Sequence, residues 1–192
     1  RDETGLGAGV KHDAVLPAPF HAGLADAPPD ATCVWLQAGS ARIRVAWWKA
    51  GDKGTVLLLP GRTECVEKYG RAAGDLVARG FSVITIDWRG QGLADRALPD
   101  RREWHVGDFA EYQQDLDAML AEAGRAGLPQ PFYMIAHSMG GCIGLRGLMR
   151  GLPVRAAAFS APMWGIAMAA WLRPVASVVS ALQNEVAALQ YP

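Results

Sequence analysis

The 192-residue sequence predicts an α/β fold with a mainly parallel β-sheet. Three observations lead to this prediction. Short, continuous apolar runs alternate with segments of helical periodicity, most of these runs end in Gly, Pro or a polar motif, and 51% of the residues are hydrophobic, which is enough for one substantial core. Strands that alternate with helices at this spacing form βαβ units with right-handed crossovers, so we expect helices on both faces of the sheet.

The first predicted elements form an antiparallel β-hairpin. Residues 32–38 and 42–48 flank a Gly-Ser turn, and the second segment alternates apolar residues with Arg and Ala, which predicts one solvated face. Residues 56–59 are a continuous apolar run that ends at Pro60, as expected for a strand buried on both faces. The hairpin should therefore lie at one edge of a buried parallel sheet.

Helices and buried strands then alternate along the rest of the core. Gly80 stands where a helix C-terminal cap belongs, and Asp108 with Glu111 has the pattern of an N-terminal capping box. The predicted elements are helix 66–77, strand 81–86, helix 109–120, strand 132–136, helix 139–150 and strand 154–159. Ligands in such sheets bind at the carboxyl ends of the strands, so the residues that follow each strand are the candidates for a site.

Composition excludes several classes of function. Lys plus Arg equals Asp plus Glu at 19 each, which argues against binding to nucleic acid or to anionic lipid through charge. Cys33, Cys65 and Cys142 have neither disulfide-framework nor zinc-ligand spacing, and the Gly-rich segment 90–95 lacks the third glycine of a dinucleotide-binding motif. We expect reduced thiols, no cofactor, no metal, no nucleic-acid partner and a cytoplasmic location.

Ser138 lies at the junction of a predicted buried strand and the first turn of a helix. A sharp turn of this kind needs small residues two positions away on either side, and Ala136 and Gly140 occupy those positions. The turn lifts the serine Oγ above the sheet and directs the helix N-terminal amides toward it. Ser138 is therefore a candidate nucleophile, and the alternative is an ordinary turn of small residues.

Acyl transfer through a serine requires two N–H donors directed at the developing oxyanion. One normally comes from the residue after the nucleophile and one from a loop after an earlier strand. The backbone N–H groups of Met139 and Arg62 are the predicted pair, although Arg62 is also compatible with an ordinary surface loop.

Several segments together resemble the lysophospholipase and monoacylglycerol-lipase group of the α/β-hydrolase family, most closely the bacterial lysophospholipases. These segments are residues 57–70, 80–96, 105–116, 135–145 and 157–166. The resemblance implies an α/β-hydrolase core and a carboxylic ester hydrolase that forms an acyl-enzyme at Ser138, with a small lipid ester, a lysophospholipid or monoacylglycerol, as substrate. A serine aminopeptidase-like hydrolase and a non-catalytic module that binds lipid or a partner protein remain open. Pro60, Ala94 and Ala136 depart from the family pattern and bear on the substrate rather than on the reaction class.

The resemblance also implies a catalytic acid and a histidine after the nucleophile, in that order. After Ser138 the sequence contains no Asp, no His and one acidic residue, Glu185. His105 and His137 do not lie on the loop expected of the base. We therefore expect a chain that is truncated inside a helical cap and nearly inactive alone, with an N-terminal tail (1–30), the N-terminal part of the core (31–161) and the beginning of the cap (162–192).

The uncharged segment 156–172 is shorter than the roughly 20 residues that a membrane-spanning helix needs. It contains Pro162 and Gly165, which favour a strand followed by a loop and the entrance to the cap. Its large apolar side chains are predicted to line an acyl-chain pocket or to touch a lipid surface. Contact with lipid would make the protein membrane-peripheral. The alternative is that these side chains pack the cap onto the core. These residues are Met163, Trp164, Ile166, Met168 and Trp171.

Overall fold

The computed structural model describes residues 15–100 and 105–165 of the chain. Within these ranges the chain forms one mixed sheet with helices on both faces, which confirms the predicted fold class. The strands are β1 (Leu16–Pro17), β2 (Thr32–Ala38), β3 (Ala41–Trp48), β4 (Thr55–Leu59), β5 (Ser82–Asp87), β6 (Phe132–His137) and β7 (Val154–Ser160). The helices are α1 (Ala22–Ala25), α2 (Gly70–Val77), α3 (Tyr112–Arg125) and α4 (Met139–Met149), and short 3-10 helices (Val66–Tyr69 and Phe109–Glu111) lead into α2 and α3.

The order of the strands brings four carboxyl ends to one edge of the sheet. The order is β1-β2-β3-β5-β4-β6-β7, with β5, β4, β6 and β7 parallel to one another and the hairpin antiparallel at one side. Because parallel strands end at the same edge, the segments that follow β4, β5, β6 and β7 are neighbours. This edge is where candidate site residues meet.

Strand β4 is covered on both faces, as its continuous apolar sequence predicts. Leu57 and Leu59 face the core layer that contains α3 and α4, whereas Val56 and Leu58 face the layer that contains α2. All four side chains are buried. Burying a side chain of this size contributes about 1.5–3 kcal/mol each, so β4 is a strong anchor for the loop that follows it.

The prediction that one face of the hairpin is solvated is wrong. Arg44 is 1% exposed and Ala46 is fully buried, because the layer that contains Val66 and Ala73 covers this face of the sheet. The Arg44 guanidinium forms ion pairs with Glu67 (2.7 Å) and Asp87 (2.8 Å). A buried guanidinium is tolerated only when carboxylates neutralise it in this way, and these two partners come from segments distant in sequence.

Residues 15–30, the described part of the predicted tail, pack on the sheet. Strand β1 pairs antiparallel with β2, and the Phe20 ring lies edge-on to Trp48 with centroids 5.7 Å apart. The Arg44 Nη1 donates to the Pro19 carbonyl at 2.8 Å. These residues therefore contribute to the packing of the hairpin, while the predicted domain boundaries stay predictions.

The capping box before α3 is confirmed. The Asp108 carboxylate accepts the Ala110 N–H at 2.7 Å, and the Glu111 carboxylate accepts the Asp108 N–H at 2.9 Å. Across the two described ranges, no helix combines the length and the apolar character needed to cross a membrane.

Candidate active site

Ser138 occupies the predicted turn between β6 and α4. Its backbone has φ 49° and ψ −118°, a combination that non-glycine residues rarely adopt. A backbone strained in this way costs about 1–3 kcal/mol and is found preferentially at functional sites. The turn is therefore observed, and the nucleophilic role of the serine stays a prediction.

Glycines near Ser138 make room for this turn. A Cβ on Gly140 would lie 2.3 Å from the Leu59 carbonyl oxygen and 2.5 Å from that of Pro60. A Cβ on Gly141 would lie 2.7 Å from the Pro162 Cβ. Because Gly140 has no Cβ, helix α4 can approach the end of β4. Because Gly141 has none, the chain after β7 can cross over α4.

The last residue of β7 and the segment after it are hydrogen-bonded to the two backbone polar groups of Ser138. The Ser138 N–H donates to the Ser160 carbonyl at 3.0 Å, and the Ser138 carbonyl accepts the Met163 N–H at 2.9 Å. Ala161, between the two contacts, also has a positive φ of 43°. The unusual conformation of Ser138 is thus held from outside its own strand and helix.

The loop after β4 lies directly against the serine. A Cβ on Gly61 would be 3.0 Å from the Ser138 Cβ. Arg62 follows Gly61, and Met139 follows Ser138 as the buried first residue of α4. Arg62 and Met139, the two predicted N–H donors, therefore directly follow two residues that lie close together, Gly61 and Ser138. Their role as oxyanion donors stays a prediction.

Three side chains that the sequence analysis did not select hold this loop. The contacts are Trp88 Nε1–H to the Pro60 carbonyl (2.9 Å), the Gly61 N–H to Glu64 Oε2 (2.5 Å) and the Thr63 N–H to Gln91 Oε1. Only Glu64 has a local signal in the sequence: it is an acidic residue three positions after Gly61, in the loop that follows β4.

Glu64 is the most highly connected of the three. It is 8% exposed and accepts hydrogen bonds from the Gly61 N–H, the Tyr69 hydroxyl (2.6 Å) and the Lys68 ammonium. Burial alone would raise the pKa of Glu64, but the hydrogen bonds from Lys68, Tyr69 and Gly61 outweigh it and hold this pKa below its ordinary value. Glu64 is therefore ionised at neutral pH.

His137 precedes Ser138, but its ring nitrogens are directed elsewhere. Nδ1 lies 3.1 Å from the Ser160 carbonyl oxygen, and Nε2 lies 3.7 Å from Glu64 Oε1. His105 lies beside the loop after β5, where its carbonyl oxygen would be 3.1 Å from a Cβ on Gly90. In the part of the chain that the structure describes, neither histidine is hydrogen-bonded to the Ser138 Oγ.

Two of the five predicted pocket residues fall within the described ranges. Met163 packs against the core layer that contains Met139, whereas Trp164 is 61% exposed and lies edge-on to Phe159 with ring centroids 5.6 Å apart. Ile166, Met168 and Trp171 lie outside the described residues, as does most of the predicted cap. The acyl-chain pocket stays a prediction.

A cleft of about 560 Å³ opens on the α2 face of the sheet. Ser138 is not among its lining residues, which include Glu64, Tyr69, Leu76, Ile135 and His137. Among the residues described, no group of three or more His, Cys, Asp or Glu side chains could hold a metal ion.

The sheet order, the helices on its two faces and the strained serine between β6 and α4 are those of an α/β-hydrolase. Residues 50–190 match the Hydrolase_4 family, described as serine aminopeptidase, S33. Because this match extends over most of the sequence, the chain belongs to that family.

Individual relatives agree with this assignment. Over 112 residues, 58% of the chain, the sequence is 43% identical to lysophospholipase L2 of Escherichia coli strain K12 and covers 33% of that protein. The chain thus spans about a third of the length of this curated relative.

Solved structures show the same fold. The thioesterase domain from the curacin biosynthetic pathway is 19% identical with a TM-score of 0.59, over 81% of this chain and 54% of that chain. A soluble variant of monoglyceride lipase from Saccharomyces cerevisiae, in complex with a substrate analog, is 21% identical with a TM-score of 0.56, over 79% of this chain and 51% of that chain. At these identities the likeness shows the α/β-hydrolase fold alone.

Proposed function

We propose that the protein hydrolyses a carboxylic ester of a lysophospholipid or a monoacylglycerol, with Ser138 as the nucleophile. The observation that carries the proposal is the strained backbone of Ser138 at the carboxyl end of β6, with the loop after β4 against it. The likeness to E. coli lysophospholipase L2 supports the choice of a lipid ester, and the exposed Trp164 beside the turn offers apolar surface for an acyl chain.

The chemistry follows the usual course of serine acyl transfer. The Ser138 Oγ attacks the ester carbonyl carbon while a histidine takes its proton, and the carbonyl oxygen becomes an oxyanion that the Met139 and Arg62 N–H groups receive. Collapse of this intermediate breaks the ester C–O bond and releases the alcohol with the returned proton. Water then attacks the acyl-serine and releases the fatty acid.

The proposal places the histidine and its acid partner outside these 192 residues. The sequence after Ser138 holds no Asp and no His, and both ring nitrogens of His137 are directed at Ser160 and Glu64. A serine hydrolase without its base loses up to about a millionfold in kcat. The 192-residue polypeptide should therefore turn over ester at a rate near the background.

Hydrolysis assays test this proposal. The protein expressed from its complete reading frame should release fatty acid from lysophosphatidylcholine or monooleoylglycerol, and Ser138→Ala should lower kcat by at least about 10⁴-fold. A fluorophosphonate, which bonds its phosphorus to Oγ and expels fluoride, should label the wild type at Ser138 and leave the variant unlabelled. Full activity in Ser138→Ala, or rapid ester turnover by the 192-residue polypeptide, would contradict the proposal.

An aminopeptidase is the second candidate, because the description of the matching family is serine aminopeptidase. The same nucleophile and oxyanion donors serve amide hydrolysis, and the choice depends on the groups that bind the rest of the substrate. A panel of acylglycerol esters and aminoacyl anilides separates the two. A kcat/KM that is higher for aminoacyl anilides would assign the site to peptides.

A further inference from the structure

The loop after β4 requires a support that acts on its backbone. Gly61 lies so close to the nucleophile residue that a Cβ on it would be 3.0 Å from the Ser138 Cβ. The next residue, Arg62, carries an amide that the proposed mechanism directs at the oxyanion. An oxyanion donor is effective only when its N–H is already oriented before the reaction begins. Whatever fixes the peptides of the loop around Arg62 therefore affects the rate of acyl transfer.

Glu64 fixes the Pro60–Gly61 peptide, which directly precedes the peptide that carries the Arg62 N–H. Its Oε2 accepts the Gly61 N–H at 2.5 Å and the Tyr69 hydroxyl at 2.6 Å, while Lys68 donates to Oε1. Burial and the neighbouring Glu64 raise the pKa of Tyr69, so its hydroxyl stays protonated and remains a donor. The carboxylate is thus held by two residues of the 3-10 helix before α2, and through its bond to the Gly61 N–H it in turn restrains the loop.

Glu64 approaches the nucleophile residue from two sides: through Gly61, whose N–H it accepts, and through His137, whose Nε2 lies 3.7 Å from its Oε1. A Cβ on Gly61 would lie 3.0 Å from Glu64 Oε2 and 3.0 Å from the Ser138 Cβ. The hydrogen bonds of Glu64 are to Gly61, Lys68 and Tyr69, and Ser138 is not among these partners. Because the contact with the loop is a hydrogen bond of 2.5 Å and the approach to His137 is 3.7 Å, a role for this carboxylate in the reaction would be exerted through the loop.

We propose that Glu64 is a positioning residue of the acyl-transfer site: by holding the Gly61 amide, it orients the Arg62 N–H toward the oxyanion. This inference rests on the proposed ester hydrolysis at Ser138. It assigns a kinetic role to a buried carboxylate that is neither the nucleophile nor a member of the triad.

The role predicts an effect on kcat rather than on KM. In Glu64→Ala the Gly61 amide loses its acceptor, and kcat should fall by about 10²-fold, as when one oxyanion donor is lost, while KM changes by less than about threefold. Glu64→Gln keeps a carbonyl oxygen that can accept the same N–H. It should restore kcat to within about fivefold of the wild type.

Glu122→Ala is the matched control. Glu122 is also a buried glutamate (2% exposed) that pairs with an arginine, Arg125, and accepts a hydrogen bond from Trp47. It lies near the end of α3, which leads to the amino end of β6 and thus to the opposite edge of the sheet from Ser138. Its loss should lower the Tm as Glu64→Ala does but leave kcat unchanged.

The experiment measures kcat, KM and the rate of fluorophosphonate labelling for the three variants in the protein expressed from its complete reading frame, well below every Tm. A Glu64→Ala kcat equal to that of Glu122→Ala, or a Glu64→Gln variant as slow as Glu64→Ala, would overturn the inference while leaving ester hydrolysis intact. A wild type that neither turns over ester nor labels at Ser138 would overturn both proposals.

Discussion

At Gly141, the absence of a side chain allows the chain after β7 to reach the nucleophile turn. An alanine Cβ there would lie 2.7 Å from the Pro162 Cβ, so Gly141→Ala should push residues 160–163 away and weaken the bond from the Met163 N–H to the Ser138 carbonyl. We expect kcat to fall by about 10- to 100-fold with a smaller change in KM, because the nucleophile and not the substrate contact is displaced.

A second glycine-to-alanine change provides the control. Gly124 lies in α3, and a Cβ there would meet nothing within 4 Å. Gly124→Ala should therefore stabilise the protein by about 0.5–1 kcal/mol through helix propensity, with kcat unchanged. Equal kcat values for the two variants in steady-state assays would show that the contact with Pro162 has no role in catalysis.

Among individual residues, the sequence predicts those whose structural role depends on their immediate neighbours in the chain. The turn at Ser138 needs small neighbours at fixed spacing, and that pattern is visible in the sequence alone. Glu64, Trp88 and Gln91 escaped prediction because each meets its backbone partner through the folding of the loops, and for Trp88 and Gln91 that partner is 28 residues away. A side chain that supports a loop has no periodicity of its own.

At the scale of elements, a buried ion cluster joins β3, β5 and the 3-10 helix before α2. Arg44→Met should destabilise the protein by about 3–5 kcal/mol at pH 7, because it leaves the Glu67 and Asp87 carboxylates buried without their cation. Burial already raises the pKa of Asp87, and Arg44 opposes this rise. Without Arg44 the folded-state pKa values of both carboxylates should rise above the unfolded ones.

The sign of the pH dependence follows from that rise. A carboxyl whose pKa is raised on folding binds more protons in the folded state, so stability is gained as the pH falls. The deficit of Arg44→Met relative to the wild type should therefore be smaller at pH 5 than at pH 7 in urea unfolding. Arg71→Met, which breaks the exposed ion pair with Asp26, should cost less than about 1 kcal/mol. A deficit for Arg44→Met that is independent of pH would contradict this account.

The same cluster explains why the hairpin was only partly predicted. Alternation located both strands and the turn between them, since strand formation depends on local periodicity. The burial of the Arg face depends on which segment packs over it, and that segment is the 3-10 helix before α2, which supplies Val66 and Glu67. Periodicity within the hairpin carries no information about that distant segment.

At the scale of the whole molecule, the described sheet ends at β7, which pairs with β6 on one side. Ala156, Ala157 and Ala158 are exposed although they lie in a strand. Open edges of this kind pair with other chains unless a charge blocks them. The 192-residue polypeptide should therefore self-associate as its concentration rises, and Ala157→Lys should reduce this association. The control is Leu24→Lys, which adds the same charge at an exposed position of helix α1 and should leave the association unchanged. Sizing of the three polypeptides over a concentration series checks this, and equal elution of all three as monomers would show that the edge of β7 is not adhesive.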